Sequence, residues 1–242
     1  MEFSADALEL LRKDDEFLLY RDKCSSVLLL APVSDRLAPD SLKKIGHEYS
    51  LKDKLDPAWA VRPRALSQEQ GQTTLVLDDP GGEPLDRLLR RPMEMTQFLR
   101  LAVGLATALG GLHKEQLIHK DLKPANVLVN PTTGEVHLTG FGIASQLPRE
   151  RQAPEPPEFI AGTLAYMAPE QTGRMNRSID SRSDLYALGV TLCEMLTGVC
   201  LFPLPIRWNG CTATLRDSRS RQVGSGATRR FEAVEGSSRA RL

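Results

Sequence analysis

HKDLKPAN, residues 119–126, lies between the apolar-periodic segment Met95–His113 and the strand-like VLV of residues 127–129. An Asp, a Lys two positions on and an Asn five positions on form a compact polar loop. Phosphoryl transfer to a hydroxyl needs three such groups: a carboxylate to position the hydroxyl, a cation for the phosphoryl charge, and an oxygen ligand for Mg²⁺. Asp121, Lys123 and Asn126 supply these types in order. A string this short also suits a capped surface loop, so the surrounding sequence must decide.

Upstream, the chain reads as mostly β with one helix. Leu8–Leu11, Phe17–Tyr20 and Val27–Ala31 are short strand-like runs, with the polar RKDDE of residues 12–16 between the first two. Pro39–Leu55 predicts a helix with Leu42, Ile45, Tyr49 and Leu55 on one face. Val61–Leu66 and Thr73–Leu77 predict further strands, and DDPGG at 78–82 punctuates the chain as a linker. Downstream, the chain reads as mostly helical. Met95–His113 is one helix, Val136–Thr139 a short strand after the turn Asn130–Gly134, and Asp184–Leu196 a helix too continuously apolar to lie on a surface. The Pro-rich, charged segment 146–158 predicts a mobile loop. From about Leu204 the sequence becomes Arg-, Ser- and Gly-rich and reads as disordered.

Lys+Arg and Asp+Glu both number 31 among 242 residues, which gives no sign of a nucleic-acid partner. Apolar runs such as Val27–Ala31 are too short to cross a bilayer, and the acidic start Met1-Glu2-Phe3 is unlike a secretion leader. Cys24, Cys193, Cys200 and Cys211 show no metal-binding spacing and read as free thiols. These features predict a cytoplasmic protein without membrane or nucleic-acid partners.

Three further motifs follow the first in order: TGFG at 139–142, GTLAYMAPE at 162–170 and SDLYALGV at 183–190. Together the four resemble the protein kinase superfamily over roughly residues 7–204. The phrases GTLAYMAPEQTGRMNRSID and YALGVTLCEMLTG are most similar to the Ser/Thr-kinase-like module of large bacterial hybrid sensor histidine kinases. The resemblance implies an α+β, two-lobed fold: a small β-rich N-lobe over residues 1–78 and a helical C-lobe over 79–204, lacking its C-terminal helices, with a tail at 205–242. It implies ATP and Mg²⁺ as cofactors and a protein hydroxyl as acceptor in a signalling role. Residue by residue, it makes Asp121 the catalytic base, Lys123 the phosphate contact, Asn126 a metal ligand and Glu48 the partner of a strand lysine. Thr163 would sit beside Asp121, Glu170 would pair with an Arg of the lower lobe, and Asp184 would hold the catalytic loop through backbone hydrogen bonds.

The chain also departs from that pattern. The loop between the first two strands has no glycine and carries Asp14, Asp15 and Glu16, which would repel a triphosphate; two unit charges about 5 Å apart cost about 3 kcal/mol at an effective dielectric constant of 20. The third strand, in SSVLLLAPV, has no Lys, which leaves Glu48 without an obvious partner. Gly140 stands where the metal-binding Asp belongs, one base change away from it. Both the Lys–Glu pair and the metal carboxylate are needed for turnover. The sequence therefore predicts weak nucleotide binding and impaired catalysis, with a catalytically dead pseudokinase or scaffold, or a non-functional gene fragment, as alternatives. The family-like peptide DPMEWVHCHIA and Ile206–Arg216 can be encoded by one nucleotide string read in adjacent frames, which predicts a frameshift near 199–205; a genuine basic tail is the rival reading.

Overall fold

The computed structural model describes residues 8–33, 39–69, 72–146, 162–172 and 177–202, which belong to one compact unit, Met1–Pro205. Most of the Pro-rich segment, the whole of the 205–242 tail and the question of further helices after Leu204 lie outside the described residues.

Alternating and doubly apolar strands build the upper lobe. β1 (Leu8–Lys13), β2 (Phe17–Asp22), β3 (Val27–Pro32), β4 (Pro63–Glu69) and β5 (Gln72–Asp78) form an antiparallel sheet in the order β1-β2-β3-β5-β4. β3 reads as an unbroken VLLL because both its faces are covered. Val27 and Leu29 meet Val76, Leu8 and Tyr20 on the outer face, while Leu28 and Leu30 meet Leu19, Leu75, Leu77 and Ile45 on the inner face.

Ile45 comes from α1 (Pro39–Ser50), whose buried residues are Ser41, Ile45 and Glu48. This corrects the sequence reading by one position: Leu42 is exposed, and a polar pair faces inward instead. The rotation has a polar cause, since the Ser41 hydroxyl donates to Glu16 of the β1–β2 hairpin at 2.9 Å. The helix also ends five residues early, and Leu51 and Leu55 are buried from the turn that follows.

The two lobes are joined by a clamped connection. The Arg21 guanidinium donates twice to Asp79, at 2.6 and 3.0 Å, and again to the carbonyl of Gly82 at 2.8 Å. The lower lobe contains α2 (Met95–Lys114) and α3 (Ser181–Thr197), a small sheet in the order β6-β8-β9 (Glu83–Pro84, Val127–Val129, Val136–Leu138), and the pair β7 (Leu117–Ile118) with β10 (Ser145–Gln146). Glu94 caps α2 by accepting the Gln97 N–H at 3.0 Å. Leu101, Leu105, Leu109 and Leu112 then form an inward stripe that meets Leu138 and Phe141, and Met195 of α3 joins the same cluster.

Among the described helices, α2 alone is long and apolar enough to cross a membrane by length and composition, which the reading of uninterrupted runs passed over; its leucine stripe is spent on the core. α3 is not buried on most sides as its sequence suggests. Ala187, Val190, Thr191 and Met195 face inward, while Leu185, Tyr186 and Leu196 are exposed. Cys24, Cys193 and Cys200 are free thiols.

A close approach tests the α2 packing. A Cβ on Gly111 would lie 2.4 Å from Cδ1 of the buried Trp59 ring, whereas one on Gly110 would meet nothing within 4 Å. Gly110→Ala is therefore expected to raise stability by about 0.5–1 kcal/mol through helix propensity. Gly111→Ala is expected to lower it by about 1–3 kcal/mol through overpacking. Urea unfolding midpoints of the two variants should move in opposite directions; movement in the same direction would refute the Trp59 contact.

Candidate functional site

The loop of residues 119–126 is held from below by one carboxylate. Asp184, in the first turn of α3, is almost wholly buried. Its Oδ2 accepts the backbone N–H of His119 at 2.9 Å and the His113 Nε2–H at 3.0 Å, and its Oδ1 accepts the N–H of Lys120 at 2.9 Å. Lys120 has φ +68°, a left-handed conformation uncommon in residues other than glycine, and these bonds fix it there. His119 uses both ring nitrogens as a neutral imidazole: Nε2–H donates to the Thr139 carbonyl at 3.1 Å, and Nδ1 accepts the Asp121 N–H at 3.3 Å. Burial lowers its pKa against the opposing pull of Asp184 and Asp121, which suits that neutral form.

Asp121, Lys123, Asn126 and Thr163 come together above this base. Asp121 Oδ1 accepts the Thr163 N–H at 2.9 Å and its hydroxyl at 3.0 Å. Asp121 Oδ2 accepts from Asn126 Nδ2 at 3.0 Å and lies 3.0 Å from Lys123 Nζ, which also donates to Thr163 Oγ1 at 2.7 Å. Burial alone would raise the Asp121 pKa, but the Lys123 charge and hydrogen bond and the Thr163 hydroxyl act against it, and the carboxyl lies below its ordinary value. The group is an ionised carboxylate with an ammonium alongside, suited to orienting a hydroxyl and meeting anionic charge.

The upper wall holds a residue the sequence reading assigned to a loop. Arg12 belongs to β1, which runs on to Lys13, and a β-bulge between Leu10 and Arg12 puts both Leu11 and Arg12 inside. Arg12 Nη1 donates to Asn126 Oδ1 and, at 3.4 Å, to the Ala125 carbonyl, so the guanidinium ties the upper sheet to the catalytic loop. Strand register sets Arg12 opposite Leu19, Leu19 opposite Leu30 and Leu30 opposite Leu75. Leu30 lines the same cavity as Glu48, so the inner-face position of β3 beside that carboxylate holds no amine. Glu48 is buried, and loss of solvation raises its pKa; the backbone N–H groups of Phe141 and Gly140 and the charge of Arg12 act the other way.

The acidic hairpin is less repulsive than its sequence suggests, because two of its three carboxylates are engaged. Asp14 accepts the N–H groups of Glu16 at 2.9 Å and Phe17 at 2.6 Å, closing the turn, and stands 3.6 Å from Arg12 Nε. Glu16 accepts from Ser41 and forms an ion pair with Lys44. The cavity between hairpin, α1 and catalytic loop measures about 380 Å³ and is lined by Arg12, Glu48, Asp121, Lys123 and Asn126 among others.

A magnesium ion does not fit this wall. Mg²⁺ takes oxygen ligands in octahedral geometry and is held by one or two carboxylates. Asn126 Oδ1 is capped by the Arg12 cation, both Asp121 oxygens accept hydrogen bonds, and Gly140 offers no side chain. Among the described residues, no group of three or more His, Cys, Asp or Glu side chains could hold a metal. Gly140 has φ +83°, and a Cβ there would lie 3.0 Å from the Asn126 side chain. Glu170 Oε1 accepts the Ser183 hydroxyl at 2.7 Å, and among the described residues no Arg forms an ion pair with it; Arg174 and the arginines after residue 202 lie outside them. Arg182, the nearby candidate, is committed to Asp180.

Residues 33–231 match the family model of the protein kinase domain. The chain is 37% identical over 172 residues to serine/threonine-protein kinase PkaA of Streptomyces coelicolor, an overlap covering 69% of this chain and 31% of that protein. It is 38% identical over 141 residues to serine/threonine-protein kinase A of Synechocystis, covering 53% and 26%. It is 37% identical over 206 residues to the LRR receptor-like serine/threonine-protein kinase ERL1 of Arabidopsis thaliana, covering 76% and 20%. The chain thus spans less than a third of each of these relatives.

Asp184→Asn should expose how far the loop depends on one carboxylate. An amide keeps one acceptor but turns an N–H toward a buried donor, at a cost of about 2–4 kcal/mol. The expected result is a lowered urea midpoint with faster amide exchange at His119 and Lys120. Unchanged exchange at those two amides would show that the loop is held by something else.

Proposed function

Because this chain belongs to the protein kinase family, we propose that it acts as a Ser/Thr-kinase-like signalling module whose cleft retains the hydroxyl-positioning half of phosphoryl transfer and lacks the metal half. The family assignment rests on the match over residues 33–231. Impaired catalysis is supported by one observation above the others: the Asn126 oxygen that would serve a metal accepts from Arg12, while the neighbouring position 140 has no carboxylate. Asp121 can orient a hydroxyl and Lys123 can meet phosphoryl charge, but no amine stands at Leu30 to hold the triphosphate against Glu48. A module of this kind works by binding a protein partner in the cytoplasm, as the resemblance to hybrid sensor modules suggests.

Radiolabel transfer from γ-labelled ATP to a generic Ser/Thr substrate tests the reading. The full chain should show no transfer above that of its Asp121→Asn variant. Gly140→Asp alone should not restore it, since the amine at position 30 is still missing and Arg12 still caps Asn126. Transfer by the unaltered chain that Asp121→Asn abolishes would establish an active kinase and end the proposal.

A further inference from the structure

We infer that Arg12 is the resident cation of the cleft, and that the cavity binds the phosphates of a nucleoside triphosphate through its guanidinium without a divalent metal ion. The inference rests on the protein kinase reading of the cleft and adds the chemistry by which a nucleotide is held there.

Four observations carry it. The first is register. The row Arg12–Leu19–Leu30 crosses the inner face of the sheet, so the positive charge absent from β3 is present two strands away, pointing at the same cavity. The second is competition for one atom. Arg12 Nη1 donates to Asn126 Oδ1, and a metal ion at that oxygen would face a guanidinium at contact distance. A permanent cation and a bound divalent ion exclude each other there, and the protein supplies the first.

The third observation is an unmet bond. Arg12 Nε is buried without a hydrogen-bond acceptor among the described residues; the Asp14 carboxylate, at 3.6 Å, lies beyond hydrogen-bond reach. Glu48 Oε1, buried on the same wall and also unpartnered among the described residues, is an acceptor and calls for a donor rather than for a phosphate oxygen. Buried polar atoms of this kind are rare and call for a partner, and a phosphate oxygen is the acceptor a guanidinium fork is shaped to take. The fourth is charge. Asp14 is spent on two backbone N–H groups and Glu16 on Ser41 and Lys44, so the hairpin's acidity is largely engaged. Lys123 on the opposite wall gives the entering phosphates a second cation.

Isothermal titration of the full chain with ATP, once in excess EDTA and once in excess Mg²⁺, tests the inference on unaltered protein. The two dissociation constants should agree within about threefold. Arg12→Met should weaken binding by about tenfold or more, and Arg12→Lys, which keeps the charge but loses the fork, should fall between. Thermal melts establish that each variant is folded; if Arg12→Met is not, the metal comparison decides alone. Binding that tightens by about tenfold or more with Mg²⁺ overturns the inference. So does a folded Arg12→Met variant that binds as well as the parent, and so does no ATP binding in either buffer. That last outcome leaves the non-catalytic reading intact, whereas detected phosphoryl transfer would end the non-catalytic reading and leave the metal comparison to be judged on its own data.

Discussion

The buried carboxylate of Asp184 is the constraint on which the lower wall of the cleft depends. It takes three donors from two parts of the chain: the imidazole of His113 near the end of α2, and the main-chain N–H groups of His119 and Lys120 in the loop. Lys120 is held at a positive φ, a conformation that costs a residue with a Cβ about 1–3 kcal/mol unless its surroundings over-determine it. Those three bonds do so. From that anchor His119 reaches up to the Thr139 carbonyl and takes the Asp121 N–H, and its ring packs 4.9 Å from that of Phe141. The position of the Asp121 carboxylate is thus inherited from a residue more than sixty positions away. Loop chemistry and helix packing form one unit.

The upper wall follows a different logic, in which one irregularity in a strand changes the electrostatics of the cavity. In an unbroken strand Leu11 and Arg12 would point to opposite faces. The bulge removes that alternation, so the residue after an inward leucine is also inward. The consequence is a guanidinium in an otherwise aliphatic inner face of Leu19, Leu28, Leu30, Leu75 and Leu77. A buried cation of this sort is tolerable because Asn126, the Ala125 carbonyl and the field of Asp14 share its charge.

Much of this was legible in the sequence, and the failures have physical causes. The five strands of the upper sheet, β8, β9, α2 and α3 are visible because apolar periodicity and turn residues agree there, whereas the two-residue β6, β7 and β10 are too short to leave a pattern. Asp121, Lys123 and Asn126 are visible because their spacing is a chemical pattern, Thr163 through the kinase resemblance alone, and the structure does bring the four together. Arg12 was hidden because RKDDE reads as a polar loop; a bulge leaves no mark in composition. Hydrophobicity alone puts Leu42 on the buried face of α1, whereas hydrogen bonding at Ser41 turns the helix by one position. The engaged carboxylates of Asp14 and Glu16 were invisible for a similar reason. Sequence shows charge, while only geometry shows which charges already have partners.

The departures from the kinase pattern are therefore coupled rather than separate losses. A hairpin without glycines closes through the Asp14 turn and ends β1 with Arg12 directed inward. Arg12 then occupies the Asn126 oxygen, which makes a metal ion there unfavourable. A side chain at position 140 would press its Cβ on Asn126 at 3.0 Å. With a cation arriving from β1, an amine on β3 would bring a second positive charge to the same wall, and Leu30 fills that place instead. A carboxylate at position 140 or an amine at Leu30 would therefore meet a cleft in which Arg12 already occupies the Asn126 oxygen.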